Sequence, residues 1–324
     1  MKALKIFSDT PLSDSALKLL RDGVAPHELI FPAKPSISVL AKSHLDPAFT
    51  DADIAFGQPD VANVLRSDRL RWMHITSAGF TRYDTAEFRT AAASRGLMVT
   101  NSSTVYAEPC AEHVFAFMLA QGHCLPAALK SNCAFGSAAW NELRNSCALL
   151  RDQNAVILGF GAIALKLVEM LRPFGMKMVA FRRKPKGDEP IPIVTLEQLP
   201  PALAGADHVI NILPDNADST RFINRERLAA MKPGAIFYNI GRGTTVDQTA
   251  LVQALHSGHV GAAWLDVTDP EPLPGDHPLR SAPNCFITPH TAGGQHHEGE
   301  ALVRHFLNNF RHFLRGAPLG DRIM

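Results

Sequence analysis

The chain has 324 residues, 46% of them hydrophobic, which is enough to bury the cores of two globular domains. Its 32 basic and 31 acidic residues give a formal net charge of +1, so no overall field would attract nucleic acid or an anionic membrane surface. Any site for an anion must therefore be local.

The cysteines and the amino-terminal stretch predict a soluble cytoplasmic protein. The five cysteines include no C-x-x-C pair, so they predict neither a disulfide framework nor a zinc site, and we expect core thiols in a reducing compartment. They are Cys110, Cys124, Cys133, Cys147 and Cys285. The opening "MKALKIFSDT" has a short apolar run broken by Lys5, which is not typical of a signal peptide. No apolar run approaches membrane-spanning length.

Short apolar runs rich in β-branched residues or Met recur in the first hundred residues and predict a parallel α/β sheet. The runs are "LKIF", "DIAF", "RWMHIT" and "LMVT", and polar helical stretches such as "SDSALKLLRD" separate them. The segment "YAEPCAEHVFAFMLAQGHCL" follows, where Ala111, Val114, Phe115 and Met118 recur at helical spacing. It predicts a long helix that links two domains.

A second alternation predicts a doubly wound sheet. It starts with "AVILGF" and a helix from about Ile163 to Pro173, and continues through "KMVAF", "HVINIL", "AIFYNI", "AAWLDV" and "CFIT". Beyond Gly294, the stretch "EGEALVRHFLNNFRHFLRG" predicts an amphipathic helix that is too short to be a domain. We expect this helix to pack on the amino-terminal unit.

The stretch "AVILGFGAIALKLVEML" contains a glycine-rich turn between a strand and a helix. Gly159, Gly161 and Ala164 form a G-x-G-x-x-A pattern. In this context the glycines permit a tight turn and let a pyrophosphate approach backbone N–H groups at a helix N-terminus. The pattern therefore predicts a dinucleotide site, and a plain strand-to-helix turn is the alternative.

Three cations follow the second strand of this unit, in "VAFRRK". An NAD-binding unit places an acid about 20 residues beyond the glycines, to bind the ribose hydroxyls. Arg182 occupies that place, with Arg183 and Lys184 beside it. A guanidinium binds the 2′-phosphate of NADP bidentately, whereas a carboxylate would repel it. The run predicts a preference for NADP, and a strand end emerging into solvent is the alternative.

Several motifs together resemble the D-isomer-specific 2-hydroxyacid dehydrogenases, which include glyoxylate/hydroxypyruvate reductases and phosphoglycerate dehydrogenases. The matching stretches are "VILGFGAIA", "INILPDNADSTRFIN", "MKPGAIFYNIGRGTTVDQTAL", "GHVGAAWLDVTDPEPLPGDHPL" and "NCFITPHTAGG". They cover nearly all of residues 70–295 in the order of the family. The resemblance implies that Arg242 binds substrate, that His290 is the acid/base and that Glu271 is its carboxylate partner.

The chemistry is consistent with these residue types. Reduction of a 2-oxo acid needs a proton donor at the carbonyl oxygen, and a carboxylate beside His290 would fix its tautomer and favour its protonated form. Arg242 can bind the substrate carboxylate and polarise the ketone. Three alternatives stay open from the residues alone. His290 could be a polar loop residue, Arg242 could be an anion anchor without a catalytic part, and Asp269 could replace Glu271 as the partner.

The resemblance also implies further contacts. In "ITSAGFTRYD", the backbone N–H groups of Ala78 and Gly79 would bind the substrate carboxylate, although Gly79 is equally compatible with a structural turn. Asp266 would contact the nicotinamide carboxamide, or could simply cap a turn, and Leu213 with Pro214 would wall the adenine. The full implied cofactor set is Gly159, Gly161, Ala162, Ile163, Arg182, Arg183, Leu213, Pro214, Ile240, Asp266, His290 and Gly293.

The implied architecture is α/β, with two Rossmann-like doubly wound parallel-sheet domains. A flavodoxin-like substrate-binding domain, residues 1–101 and 295–324, would be split by an inserted NAD(P)-binding Rossmann domain, residues 102–294. The stretch "HCLPAALKSNCAFGSAAWNE" falls where the family has a dimerisation arm, so a homodimer is expected. We expect no metal, because the adjacent His296 and His297 would point to different faces of a forming helix.

The leading hypothesis is an NADPH-preferring reductase, with NAD(H) as a possible second cofactor. It would reduce small 2-oxo acids, glyoxylate and hydroxypyruvate, to (R)-2-hydroxy acids by hydride transfer. An NAD-dependent D-2-hydroxyacid dehydrogenase is the near alternative, and a formate dehydrogenase fits poorly because that branch has Gln where Glu271 stands. A nucleotide-sensing protein like the C-terminal-binding-protein corepressors is an alternative from another class. Arg182, in place of the acid of an NAD sensor, weakens it.

Overall fold

The computed structural model describes residues 3–34, 36–38 and 44–324. The chain divides into two compact units, one formed by Met1–Tyr106 with Gly294–Met324 and the other by Ala107–Gly293. Each unit contains a sheet in which all neighbouring strands are parallel. The predicted fold class, two parallel-sheet α/β domains, is confirmed.

The two sheets differ in size. The first unit has five strands in the order β2-β1-β3-β4-β5, and the second has seven in the order β12-β11-β10-β9-β6-β7-β8. The strands of the first unit are β1 (Lys5–Ser8), β2 (Glu28–Ile30), β3 (Ile54–Gly57), β4 (Trp72–Ile75) and β5 (Met98–Thr100). Those of the second are β6 (Asn154–Leu158), β7 (Lys177–Phe181), β8 (Ile193–Val194), β9 (His208–Asn211), β10 (Ala235–Asn239), β11 (Val260–Leu265) and β12 (Cys285–Ile287).

The α-helices alternate with these strands along the chain. They are α1 (Asp14–Val24), α2 (Val61–Arg66), α3 (Ala86–Arg95), α4 (Ala107–Gly122), α5 (Leu125–Lys130), α6 (Ala138–Asn145), α7 (Ala162–Leu171), α8 (Leu199–Ala204), α9 (Arg225–Ala229), α10 (Gln248–His256) and α11 (Glu298–Arg315). Short 3-10 helices cover Pro47–Asp51, Thr81–Tyr83, Arg172–Phe174, Gly243–Thr245 and Pro278–Arg280. Side-chain caps start several helices: Ser13 Oγ accepts from the Ala16 N–H at α1 and Asp247 from the Ala250 N–H at α10.

The carboxy-terminal helix α11 completes the core of the first unit. Its apolar stripe includes Phe306 and Phe310, both buried. The Phe306 ring stacks on Trp72 of β4, with 5.1 Å between ring centroids, and on Phe56 of β3 at 4.6 Å. These contacts bury large aromatic surfaces against the sheet, as the amphipathic pattern predicts.

The core of the second unit covers both faces of its central strands. Residues of β6, β9, β10 and β11 are mostly buried, and α7 packs against α4 across one face. Ala164, the third small residue of the glycine-rich pattern, is fully buried in α7. This complete burial agrees with the close helix packing that the pattern predicts at Ala164.

The prediction of core thiols is wrong for most of the cysteines. All five are free, but only Cys110 is buried. Cys147 is exposed, and Cys124, Cys133 and Cys285 are partly exposed. Cys124, Cys133 and Cys147 lie in or beside the short helices α5 and α6, where no residue of either helix is buried. This segment lies on the surface of its unit, so its thiols cannot be core residues.

Candidate active site

The predicted cofactor and catalytic residues of the second unit lie along one edge of its sheet. Parallel strands present their carboxyl ends at the same edge, where ligands of doubly wound sheets bind. In the order β12-β11-β10-β9-β6-β7, the residues that follow the strands are His290, Asp266, Arg242, Leu213, Gly159 and Arg182. The chain leaves β6 to one side for β7 and returns on the other side for β9, so β6 marks the topological switch point.

The glycine-rich turn at this switch point has the geometry of a phosphate cradle. Gly159 has a φ of +93°, and a Cβ there would lie 3.0 Å from the Ile212 carbonyl oxygen. Gly161 differs, because it has an extended backbone and a Cβ there would meet no atom within 4 Å. Gly161 precedes α7, whose N-terminal N–H groups receive no side-chain cap. The backbone conformation and the close carbonyl are therefore enough to require glycine at position 159. At position 161 they are not, and the open space there, in front of an uncapped helix, fits a pyrophosphate.

We expect alanine substitutions at the two glycines to have different effects. Gly159→Ala should lower the free energy of unfolding by about 1–3 kcal/mol, because of its positive φ and the close carbonyl. Gly161→Ala should leave that free energy within about 1 kcal/mol but weaken nucleotide binding at least tenfold, since the methyl group would occupy ligand space. Chemical denaturation and NADPH fluorescence titration measure the two effects. Unchanged nucleotide affinity in Gly161→Ala would contradict the cradle.

Arg182 is held by an acid that the sequence analysis missed. Its Nη1 donates to Glu189 Oε1 at 2.9 Å, and the side chain of Glu189 is only 5% exposed. The Glu189 carboxylate also accepts from the N–H groups of Lys186 (2.7 Å) and Gly187 (2.9 Å). The Lys186 N–H, together with the other donors, lowers the pKa of the Glu189 carboxyl. Glu189 therefore fixes the position of the Arg182 guanidinium and uses only one of its five N–H donors.

The remaining cations of "FRRK" are more exposed. Arg183 forms an ion pair with Asp218, and the side chains of both are more than 60% exposed. Lys184 is exposed. These two residues agree with the solvated alternative better than Arg182 does, because an exposed pair contributes little binding energy.

The residues predicted to contact the adenine and the nicotinamide differ in how far they are exposed to solvent. Leu213 and Ile240 are buried, at 8% and 5% exposure, whereas Pro214 is exposed. Gly293 is partly exposed near the end of the unit. A Cβ on the neighbouring Gly241 would lie 2.6 Å from the Leu213 carbonyl oxygen. Close backbone packing between these two loops therefore brings Leu213 and Ile240 to the same edge of the sheet.

A buried amide network fixes the loop that carries Arg242. Asn211 Nδ2 donates to Asn239 Oδ1 (3.0 Å) and to Thr245 Oγ1 (2.7 Å). Asn239 Nδ2 and Thr245 Oγ1 in turn donate to the Arg242 carbonyl oxygen, at 3.1 and 2.6 Å. The Arg242 guanidinium donates through Nη1 to the Gly241 carbonyl at 2.6 Å. Within the described ranges it forms no ion pair, so a partly buried cation is available to an anionic ligand.

His290 pairs with Glu271. The Nδ1 atom of His290 lies 2.8 Å from Glu271 Oε1, and both side chains are a little more than one-third exposed. No acid other than Glu271 lies within ion-pair distance of His290 in the described part of the chain, and Asp269 is instead tied through its backbone to Gln248. His290 has a φ of +53°, which is uncommon for a residue with a Cβ. With Nδ1 engaged, the Nε2 atom lies on the side of the ring that faces away from Glu271.

Asp266 holds the loop that presents His290. Its carboxylate accepts from the N–H groups of Thr291 (2.8 Å) and Ala292 (2.9 Å) and from Thr288 Oγ1 (2.6 Å). The His290 N–H donates to the Asp266 carbonyl oxygen at 2.9 Å. The side chain is 1% exposed. These contacts agree with the turn-cap alternative for Asp266, and they make it a positioning residue for His290.

The predicted substrate loop lies in the first unit, after β4. Asn101 Nδ2 donates to the Ala78 carbonyl at 2.7 Å, and Ser77 Oγ donates to the Gly79 carbonyl at 2.5 Å. Gln58 Nε2 donates to Ser77 Oγ at 2.9 Å. Among the residues that the structure describes, the N–H groups of Ala78 and Gly79 donate no hydrogen bond. Their carbonyls are fixed while their donors stay open, as binding of a carboxylate requires.

Several residues that hold the site in place were not predicted from the sequence. Glu189 and Asn101 lie outside the matching motifs, whereas Asn211 and Asn239 lie inside them without an assigned role. A polar residue directly after a buried strand was the available signal for Asn101, and one at the strand end for Asn211 and Asn239. Glu189 had no comparable signal, because it stands in a polar loop.

Among the described residues, no group of three or more His, Cys, Asp or Glu side chains comes together as a metal ion would require. Likewise, none of the helices that the structure describes has the length and apolar character to cross a membrane.

A glycine-rich turn at the switch point of a doubly wound parallel sheet defines the second unit as a dinucleotide-binding domain. The model of the family "D-isomer specific 2-hydroxyacid dehydrogenase, NAD binding domain" matches residues 119–292, more than half of the chain. The chain belongs to the D-isomer specific 2-hydroxyacid dehydrogenases, which are NAD(P)-dependent oxidoreductases. The predicted family is thereby confirmed.

Curated relatives carry the names of related reductases. The human glyoxylate reductase/hydroxypyruvate reductase is 32% identical over 231 residues, which cover 71% of this chain and 70% of that protein. Glyoxylate/hydroxypyruvate reductase B of Citrobacter koseri is 30% identical over 279 residues, 83% of each chain. An uncharacterized protein from the proB 3′ region of Corynebacterium melassecola is 38% identical over 200 residues, which span 59% of this chain and 63% of that protein.

Solved structures share the fold over essentially the whole chain. The D-isomer specific 2-hydroxyacid dehydrogenase from Xanthobacter autotrophicus Py2, in complex with NADPH and MES, matches with a TM-score of 0.80 at 23% identity. The match covers all of this chain and 98% of the other. The TT0316 protein from Thermus thermophilus matches with a TM-score of 0.75 at 28% identity, covering 99% of this chain and all of that one.

Proposed function

We propose that the protein is an NADPH-preferring reductase that converts small 2-oxo acids, glyoxylate and hydroxypyruvate, to (R)-2-hydroxy acids. The observation that carries the proposal is the His290–Glu271 hydrogen bond of 2.8 Å, at the same sheet edge as Arg242, which forms no ion pair with any residue that the structure describes. An acid/base beside a cation for a carboxylate is the chemistry that a 2-oxo acid needs. The relatives named glyoxylate and hydroxypyruvate reductases point to the same substrate class.

In this proposal, each site residue of the second unit has a separate role in the reduction. A bound nicotinamide cofactor supplies the hydride. Glu271 holds His290 Nδ1, so that Nε2 carries the proton that goes to the substrate carbonyl oxygen. Arg242 binds the substrate carboxylate and stabilises negative charge at the carbonyl oxygen. Asp266 keeps His290 in its unusual backbone conformation through the Thr291 and Ala292 N–H groups.

The residues of the first unit contribute backbone donors in this proposal. The open N–H groups of Ala78 and Gly79 bind an oxygen of the substrate carboxylate. Asn101, Ser77 and Gln58 fix the loop in advance, through the bonds to both carbonyls. A loop held in this way loses little conformational entropy when it binds an anion.

The cofactor assignment rests on the cradle and on Arg182. The pyrophosphate binds at Gly159, Gly161, Ala162 and Ile163, and the 2′-phosphate binds to Arg182, with Arg183 and Lys184 adding positive field. Leu213, Pro214 and Ile240 form apolar walls. Asp266 and Gly293 lie at the nicotinamide end in this assignment.

Initial rates with NADPH and NADH, across glyoxylate, hydroxypyruvate, pyruvate and larger 2-oxo acids, test the proposed activity. We expect turnover of the two small acids with a preference for NADPH. Turnover with NADH alone would favour the NAD-dependent dehydrogenase. Nucleotide binding without turnover of any acid would contradict the reductase and favour a corepressor-like binding protein on the same fold.

Arg182→Asp should lower kcat/KM for NADPH by about 10–100-fold, and that for NADH by less than about threefold. The expected loss corresponds to one charge-assisted hydrogen bond to a phosphate, at about 1.5–3 kcal/mol. Steady-state kinetics with both nucleotides measure the ratio. Arg225→Asp in α9 is the control, since it makes the same substitution at an exposed position of the same unit. Equal losses for the two nucleotides would return Arg182 to a structural role.

The protein is further proposed to be a cytoplasmic homodimer that associates through the segment 123–142. Large apolar side chains there are exposed, with Leu129 at 84% and Phe135 at 88%. Exposed side chains of this size on one short segment favour burial against a second copy.

A further inference from the structure

Two thiols lie side by side at the base of a surface segment in the second unit. We define the arm as residues 125–146, which contain α5 and α6. At its base, the Ala148 N–H donates to the Gly122 carbonyl at 2.7 Å, and Cys124 Sγ donates to the Ser146 carbonyl at 3.4 Å. These contacts place Cys124 beside Cys147, which directly follows Ser146. The two cysteines flank the arm.

The pKa of the Cys124 thiol is consistent with this placement. Burial, followed by the charge and the hydrogen bonding of Cys147, raises the pKa of the Cys124 thiol. Cys124 Sγ lies 3.4 Å from the carbonyl oxygen of the residue that precedes Cys147, so rotation of the two side chains would be needed to bring the sulfur atoms to the bonding distance of about 2.05 Å. Cys147 Sγ donates to the Leu143 carbonyl at 3.6 Å, and the residue is exposed to solvent.

The other thiols are poorer reactants. Burial raises the pKa of both Cys110 and Cys285 to about 12, so almost none of either is in the reactive thiolate form near neutral pH. Cys133 lies inside the arm and is partly exposed. It is therefore the thiol that could compete with Cys124 or Cys147 for a partner.

We propose that Cys124 and Cys147 form a redox-sensitive dithiol, which a low-molecular-weight disulfide oxidises to an intramolecular disulfide across the base of the arm. The Cys147 thiolate attacks one sulfur of the small disulfide and releases one thiol. The Cys124 thiolate then attacks the sulfur of Cys147 and releases the second. The protein loses two electrons and two protons, and the small disulfide gains both as it becomes two thiols.

The disulfide closes the arm into a loop. A cross-link at the base removes conformations that the open arm can reach, so the arm unfolds locally less often. In a reducing compartment such a bond is transient and forms only when the pool of small disulfides rises. The site is thus a reversible modification site on the segment proposed for self-association.

Oxidation of the full-length protein with oxidised glutathione tests the pair. Tryptic cleavage at Lys130 and Arg144 gives peptide 96–130 with Cys110 and Cys124, peptide 131–144 with Cys133 and peptide 145–151 with Cys147. We expect an intact mass lower by about 2 Da. A non-reducing digest, with free thiols blocked, should contain peptide 96–130 linked to 145–151. Fragmentation of the linked peptide distinguishes Cys124 from Cys110, and a bond to Cys110 would overturn the proposal. Cleavage of the native oxidised protein at Lys130 should be about tenfold slower than that of the reduced protein.

Single substitutions assign the roles. Cys133→Ser should leave the linked peptide unchanged. Cys124→Ser should stop at one glutathione adduct on Cys147, and Cys147→Ser should give no linked peptide. A link to peptide 131–144, a disulfide between two chains, a stable glutathione adduct in the wild type or an unchanged mass would each overturn the proposal.

Discussion

Replacing His290 by asparagine should lower kcat for glyoxylate by about 10²–10⁴-fold, the range of a lost general acid/base. Asparagine is the suitable replacement because it tolerates the positive φ of +53° better than most residues, and it has no proton to donate at neutral pH. NADPH affinity and the free energy of unfolding should change little, since the side chain is 38% exposed and is not part of the core. Single-turnover kinetics and fluorescence titration separate the chemical step from binding.

The matched variant Glu271→Gln tests the partner. Its amide can still accept a hydrogen bond from His290 Nδ1, but the negative charge is lost. We expect a smaller fall in kcat, of about 10–100-fold, because the hydrogen bond to a charged group contributes about 1.5–3 kcal/mol. Full turnover in His290→Asn would show that His290 is only a polar loop residue. A loss in Glu271→Gln equal to that in His290→Asn would mean that charge, and not proton transfer, dominates.

Central strands were predictable from sequence because they are buried on both faces. The segments that form β6 and β9 are short runs of mostly apolar residues, all but one of them buried, and such runs are typical of strands in a parallel sheet. The strands β2 and β8 were missed. They have three and two residues, all of them exposed or partly exposed, and each lies at the end of its sheet order. Pairing with β1 and β7 defines them more than their own side chains do.

Some site residues could be predicted from backbone chemistry, and others only from a sequence motif. Gly159 and Gly161 follow from backbone chemistry, since only glycine suits the positive φ of the first and the second must leave ligand space. The choice of Glu271 over Asp269 came from a motif, because both acids are close in sequence to one another. The structure shows the hydrogen bond to His290 from Glu271. Side-chain direction after a turn is a tertiary property that spacing does not encode.

Glu189 illustrates what spacing cannot reveal. An acid in the polar stretch "RRKPKGDEP" looks like one more solvated charge, yet its side chain is 5% exposed and binds Arg182 and two backbone N–H groups. The loop folds back on its own carboxylate, so the burial comes from the loop conformation. The same holds for Asp266, whose three hydrogen-bond donors stand more than 20 residues further along the chain.

Arg242→Lys should raise KM for the 2-oxo acid by about 10–100-fold and lower kcat, although the positive charge is kept. Lysine lacks the planar fork that binds a carboxylate bidentately, so at least one charge-assisted hydrogen bond is lost, at about 1.5–3 kcal/mol. The loop itself should persist, because Asn239 and Thr245 hold the carbonyl of residue 242 and not its side chain. Initial-rate kinetics measure KM and kcat, and NADPH titration serves as the binding control.

A second variant, Arg242→Ala, distinguishes a role in binding the 2-oxo acid from a role in binding the nucleotide phosphates. We expect a loss in kcat/KM of about 10²–10³-fold, from two lost charge-assisted hydrogen bonds, and partial recovery when guanidinium ions are added. A guanidinium ion can occupy the space vacated by the side chain only if the backbone network of Asn211, Asn239 and Thr245 stays formed. If Arg242 were instead an anchor for the nucleotide phosphates, NADPH affinity would fall as far as kcat/KM does. Unchanged NADPH affinity with a large loss in kcat/KM would therefore assign Arg242 to the 2-oxo acid.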